Sequence, residues 1–212
     1  MPFQPFNPDA EVRQFRNHLP HWRQSGVTYF VTTRLADSLP QNVLEDWRAE
    51  RELWLRVNGY AEVTPPETLP TKLRAEYHSR FSRKFHELLD AGAGECWLRK
   101  TEHAAMVADA LRHFDGERYE LGDFVVMPNH LHVLVSPIGE NELSDILHTW
   151  KRFTAQVINK LARRNGALWQ AESFNHIVRG EEQLRRIQQY VAENPAKARL
   201  REGEYLLWKR EA

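Results

Sequence analysis

The sequence predicts an α+β fold: an antiparallel sheet in a ferredoxin-like split βαβ arrangement, with helices packed on it. Three observations carry that reading. Runs rich in β-branched and aromatic residues recur at 28–34, 119–126, 130–136 and 174–179. Between them, apolar residues return at helical spacing. In order, the chain reads strand, helical block, strand, strand, helix, strand, helix, so a helical insertion expands the first crossover.

Thr28-Tyr29-Phe30-Val31-Thr32-Thr33-Arg34 opens the sheet, because branched and aromatic side chains suit a pleated, half-buried surface. Gln41 to about Val57 spaces Leu and Trp among charges as a helix does, and Pro65, Pro66 and Pro70 then break the chain. Lys72 to Leu89 resumes a helix that Gly92 closes, and Glu102 to Phe114 forms another. Tyr119–Val126, the turn Met127-Pro128-Asn129 and His130–Ser136 read as a hairpin. From Asn141 a long amphipathic helix follows, with Ile146, Trp150, Val157 and Leu161 on its apolar stripe, until Gly166 closes it. Phe174 to Arg179 alternates as a strand. Glu181 to Glu193 is a helix with acids in its first turn and Leu184, Ile187 and Val191 facing inward. Pro195 stops or reorients it, and Asn194 reads as the N-cap of a continuing helix over Ala196 to Leu200.

The 212 residues suit a single domain over 1–212, with 36–115 a mostly helical insertion and 201–212 a C-terminal tail. No apolar run is long enough to span a bilayer, and the N-terminal residues lack the blocks of a signal peptide, so a cytoplasmic location is expected. The single cysteine, Cys96, reads as a small buried residue. With 29 basic and 29 acidic residues the chain has no global positive field, and any nucleic-acid contact must come from a local groove.

The run Met127-Pro128-Asn129-His130-Leu131-His132 carries the chemistry. Side chains alternate along a strand, so His130 and His132 share one face, roughly 7 Å apart at the backbone, and can converge on one ion. A bare His-x-His pair is more often structural. Tyr190 and Asn194 shift that balance: they project from one helix face, with Arg186 one turn earlier, at the edge of the apolar stripe. Between His148 and Arg164 there are five Lys or Arg residues and no acid, and Lys151 and Arg152 are the candidates for DNA contact. His176 is a candidate group behind the pair or on the substrate, a structural role being as good a reading. No acidic ligand lies next to the pair in the sequence.

Together these residues resemble the HUH endonuclease superfamily, in its single-tyrosine transposase branch. The resemblance rests on His130-Leu131-His132 after Met-Pro-Asn, Trp150-Lys151-x-Phe153-Thr154, Phe174-Asn175-His176-Ile177, and Tyr190-Val191-Ala192-Glu193-Asn194-Pro195. His21-Trp22-Arg23 with Tyr29-Phe30-Val31-Thr32 resembles the family's opening strand, and the likeness runs from about His21 to Leu200. The long insertion and the Asn-Pro ending are similar to the REP-associated tyrosine transposases. The resemblance implies the HUH endonuclease fold, His130, His132 and Asn194 as metal ligands, and Tyr190 as nucleophile. Imidazoles alone suggest zinc or another transition metal; the resemblance implies Mg²⁺ or Mn²⁺.

The expected function is that of a nuclease and strand transferase acting on palindromic repeats folded as single-stranded DNA hairpins, in association with the nucleoid and as a monomer in preference to a dimer. Lys151, Arg152, Arg186 and His176 are its expected DNA-binding residues. The competing expectation is a catalytically silent hairpin-binding protein. A metal-dependent hydrolase of small substrates is disfavoured, for want of an acidic ligand cluster or general base beside the histidines.

Overall fold

The computed structural model describes residues 3–6, 13–16, 20–24, 26–64 and 66–211. Two short strands, β1 (Arg13–Arg16) and β2 (Pro20–Arg23), pair as a separate antiparallel ribbon. The segment His21–Thr32 is therefore two strands, β2 and β3 (Tyr29–Arg34), rather than one. The five-stranded sheet adds β4 (Tyr119–Val126), β5 (His130–Pro137), β6 (Phe174–Ile177) and β7 (Leu206–Trp208) in the order β6-β3-β5-β4-β7. Every neighbouring pair is antiparallel. The first four positions are the split βαβ order, with β5 inserted between the parallel pair β3 and β4. β7 is an addition that the sequence hides as a tail.

The helices are α1 (Gln41–Val57), α2 (Thr71–Tyr77), α3 (Arg83–Asp90), α4 (Thr101–Arg112), α5 (Leu143–Leu161) and α6 (Glu181–Lys197). The helix expected over Lys72 to Leu89 forms, but a π-helical stretch, His78–Ser82, joins α2 to α3. A widened turn shifts the phase of the helix that follows, so the faces of α2 and α3 are not continuous. Pro195 lies inside α6, and the expected break there is absent. A proline costs one i→i−4 hydrogen bond; so near the helix end, the buried Val191–Pro195 face outweighs it. Asn194 is therefore not a cap, and its amide is left for other work.

The two faces of the sheet bury different sets. Leu131, Val133 and Val135 of β5 pack with Val107 and Leu111 of α4 and Ile146 and Trp150 of α5. On the opposite face Phe30, Val125 and Leu134 pack with Ile187 and Val191 of α6. Each such aliphatic side chain contributes about 1.5–3 kcal/mol on burial. The alternation that sends Leu131 one way sends His130 and His132 the other, beneath α6.

Of the stretch 36–115, residues 39–89 have a core of their own, in which Trp54, Tyr77 and Phe81 meet with ring centroids 5.3–5.9 Å apart, whereas α4 packs on the sheet. Cys96 is buried, its thiol donating to the Gly92 carbonyl.

Candidate functional site

His130 and His132 are fully buried on one face of β5, in register with Arg34 and Thr32 of β3. Their Nε2 atoms face each other at 3.1 Å. The far side of each ring is held. His132 Nδ1 shares a 2.8 Å hydrogen bond with the Thr32 hydroxyl, and His130 Nδ1 lies 2.8 Å from Asn129 Oδ1.

Asn129 fixes a tautomer. Its amide nitrogen donates to the carbonyls of Leu89 and Ala93, at 3.2 and 3.0 Å, so its oxygen must face the imidazole as an acceptor. His130 Nδ1 therefore carries the proton, and Nε2 presents a lone pair. Burial holds His130 near a pKa of about 3, and pushes His132 well below its ordinary value, so both are neutral.

The same two Asn129 hydrogen bonds bolt the end of α3 onto the turn before β5. This brings in two groups that sequence reasoning missed. Asp90, the last residue of α3, places Oδ1 3.6 Å from His130 Nε2. Asp90, His130 and His132 bring three ligand atoms within 4.8 Å of one another. His86, one turn earlier on α3, sets its ring 5.4 Å from His132 and 5.6 Å from Tyr190. Their i, i+4 spacing puts both on one face, but nothing local says that this face meets the histidine strand. The acid absent from the sequence around His130 is thus supplied by the helical insertion, far upstream in the chain.

Tyr190 reaches the same point from α6. Its Oη lies 3.2 Å from His132 Nε2, and its ring meets Phe30 edge-on at 6.1 Å. Burial, followed by the charge of Asp90, raises its phenol pKa well above the tyrosine range, and a hydrogen bond from Asn194 works against them. Asn194 is fully buried; its Nδ2 approaches Asp90 Oδ1 at 3.5 Å, while its Oδ1 has no hydrogen-bond partner.

These residues fit a divalent cation. His130 Nε2 points its lone pair at His132 Nε2 3.1 Å away, and a cation replacing the single proton between them would be held by both rings. A buried amide oxygen without a donor is the acceptor a cation satisfies. Imidazole nitrogens suit transition metals, and the carboxylate and amide oxygens move the set toward Mg²⁺ and Mn²⁺. Asp90 is raised to about 6 by burial, a cost that a cation would remove.

The remaining sequence candidates fall elsewhere. Lys151 is turned inward: Nζ donates to the carbonyls of Gln170 and Ala171 at 2.9 and 3.0 Å, and burial lowers its pKa to about 8. It anchors a loop. Arg152 and Arg186 are exposed, Arg186 approaching Glu182 at 3.9 Å. His176 packs edge-on against Phe30 at 5.4 Å, behind the pair, and burial holds it neutral with a pKa of about 3. Trp150 and Trp169 are buried in the core and Phe153 is exposed.

Residues 99–194 match the family model described as transposase IS200 like. This segment is similar to that family. It contains the histidine pair, Tyr190 and Asn194, but not Asp90 or His86, which precede it. No curated protein matches the chain. Among solved structures, a REP-associated tyrosine transposase bound to a REP hairpin aligns with a TM-score of 0.46 at 17% identity, covering 84% of this chain and 71% of that one.

Proposed function

We propose that the protein cuts and rejoins single-stranded DNA at palindromic repeats folded as hairpins, through a 5′-phosphotyrosine at Tyr190. The observation that carries this reading is the meeting of a phenol oxygen, two imidazole nitrogens and a carboxylate in one buried corner. The similarity of residues 99–194 to IS200-like transposases and the motifs that resemble REP-associated transposases support the hairpin substrate.

His130, His132, Asp90 and Asn194 are the residues that would hold Mg²⁺ or Mn²⁺. Such an ion, when bound, neutralises charge on the scissile phosphate, polarises its phosphorus–oxygen bond and favours the ionised phenol. Tyr190 is the nucleophile. Its oxygen bonds to phosphorus as the bond to the 3′-oxygen breaks; the phenol gives up one proton and the departing 3′-oxygen takes one up. No water is consumed, and the ester survives for a 3′-hydroxyl to attack later. Phe30 and His86 flank the ring and limit the directions in which its oxygen can point. Thr32 and Asn129 hold the imidazoles, and buried neutral histidines remain available as ligands down to acid pH.

The test is a denaturing gel of labelled hairpin DNA incubated with protein and Mn²⁺. Wild type is expected to give a covalent adduct, and Tyr190→Phe to give none while still binding the hairpin. An adduct with the Phe variant overturns the assignment; hairpin that is bound but intact with wild type identifies a silent binder instead.

A further inference from the structure

We propose that the cavity between the helical insertion and the β6 edge seats one unpaired nucleotide beside the phosphate that reaches Tyr190, making the insertion a base reader. This rests on the DNA-cleaving reading. The cavity has a volume of about 420 Å³, within the range of about 300–1,000 Å³ usual for ligand pockets. Its walls come from α1, from α2 through α3, and from the loop leading into β6. Thr32 and His86 line it too, and these touch the site directly: Thr32 holds His132, and His86 lies against both His132 and Tyr190. The cavity therefore adjoins the surroundings of Tyr190 through Thr32 and His86.

The lining selects among occupants. Trp47, Phe85 and Phe174 offer ring faces for stacking. Around them Arg34, Arg48 and Arg51 are matched by Glu52, Glu62 and Glu172, so the wall carries no net positive charge. A phosphate track would be basic. Balanced donors and acceptors around aromatic rings suit the edge and face of a base instead. Arg51 is 4% exposed, and its Nε is buried without a hydrogen-bond partner, leaving the wall one unmatched donor. Lys151 holds the Gln170–Ala171 side of the wall in place through its two carbonyl hydrogen bonds.

The test uses full-length Tyr190→Phe protein, which leaves the DNA intact, and hairpins whose flanking unpaired nucleotides are replaced one at a time, by an abasic site or by 2-aminopurine. An abasic site at one position next to the cut is expected to weaken binding by about tenfold, the scale of a lost base–aromatic stack. 2-Aminopurine at that position should be quenched on binding. Ala171→Trp, which fills the cavity from its exposed side, should abolish both effects. A flat abasic scan, or quenching that survives Ala171→Trp in protein with an unchanged melting temperature, overturns the proposal. If Ala171→Trp does not fold, the scan alone decides. Wild type that cleaves hairpins while the scan is flat sinks the cavity reading only; wild type that neither binds nor cleaves them sinks the DNA reading and this one with it.

Discussion

Asn129 and Asp90 govern the imidazole pair without belonging to the His-x-His motif. Asn129→Ala removes the acceptor that orients His130, so Mn²⁺ affinity is expected to fall about 10- to 100-fold, the usual penalty for losing a group behind a ligand. Titration calorimetry without DNA measures it. Asp90→Asn keeps the shape and removes the charge, and should weaken Mn²⁺ binding at least as much; a loss under about twofold, read by Mn²⁺ paramagnetic resonance, would exclude Asp90 from the coordination set. The difference between these residues and the histidines is also one of legibility. Period-two alternation alone puts His130 and His132 on one face. No local pattern marks Asp90 or His86, because their role depends on which way α3 docks, and that is set by the hydrogen bonds of Asn129 to Leu89 and Ala93.

At the level of elements, the insertion delivers Asp90 and His86 from a core that the main sheet does not share. Phe81 sits at its centre, fully buried between Trp54 and Tyr77. Phe81→Ala should cost about 3–5 kcal/mol of stability and loosen metal binding as well, since α3 starts two residues later. Chemical denaturation followed by metal titration separates the two effects. Helical periodicity reveals α1, α4 and α5 close to their true bounds. It does not reveal the π-helical stretch, which carries no distinct apolar pattern. Pro195 misleads for a related reason: the signal for a break is local, whereas the packing that keeps α6 whole comes from β4 and β5 across the sheet.

For the molecule as a whole, the buried histidines set a dependence on pH. His86 is held at about 4, and His130 and His176 at about 3, all by burial, against 6.5 for an ordinary histidine. Below pH 6.5 the unfolded chain takes up protons that the native chain refuses, so each of these groups removes stability as pH falls through that window. Asp90, raised to about 6, acts in the opposite direction, since the native form binds its proton first. His132 and His78, which burial also lowers, add to these three, and together the histidines outweigh one aspartate. In EDTA the melting temperature should therefore fall steadily from about pH 6.5 downward. A flat profile over that range would mean that these rings are wet. The fold class is legible from the order of strands and helices alone. β7 is not, because three residues of Leu-Leu-Trp near the end of a chain carry too little pattern to be told from a tail.

That last strand covers what would otherwise be a raw border of the sheet. Trp208 stacks on Phe124 at 5.2 Å, and Arg210 clasps Asp115 and the Leu121 carbonyl from beyond it. A protein trimmed before Leu206 would present the backbone of β4 unpaired beside a bare aromatic ring, an invitation for two copies to zip together and precipitate.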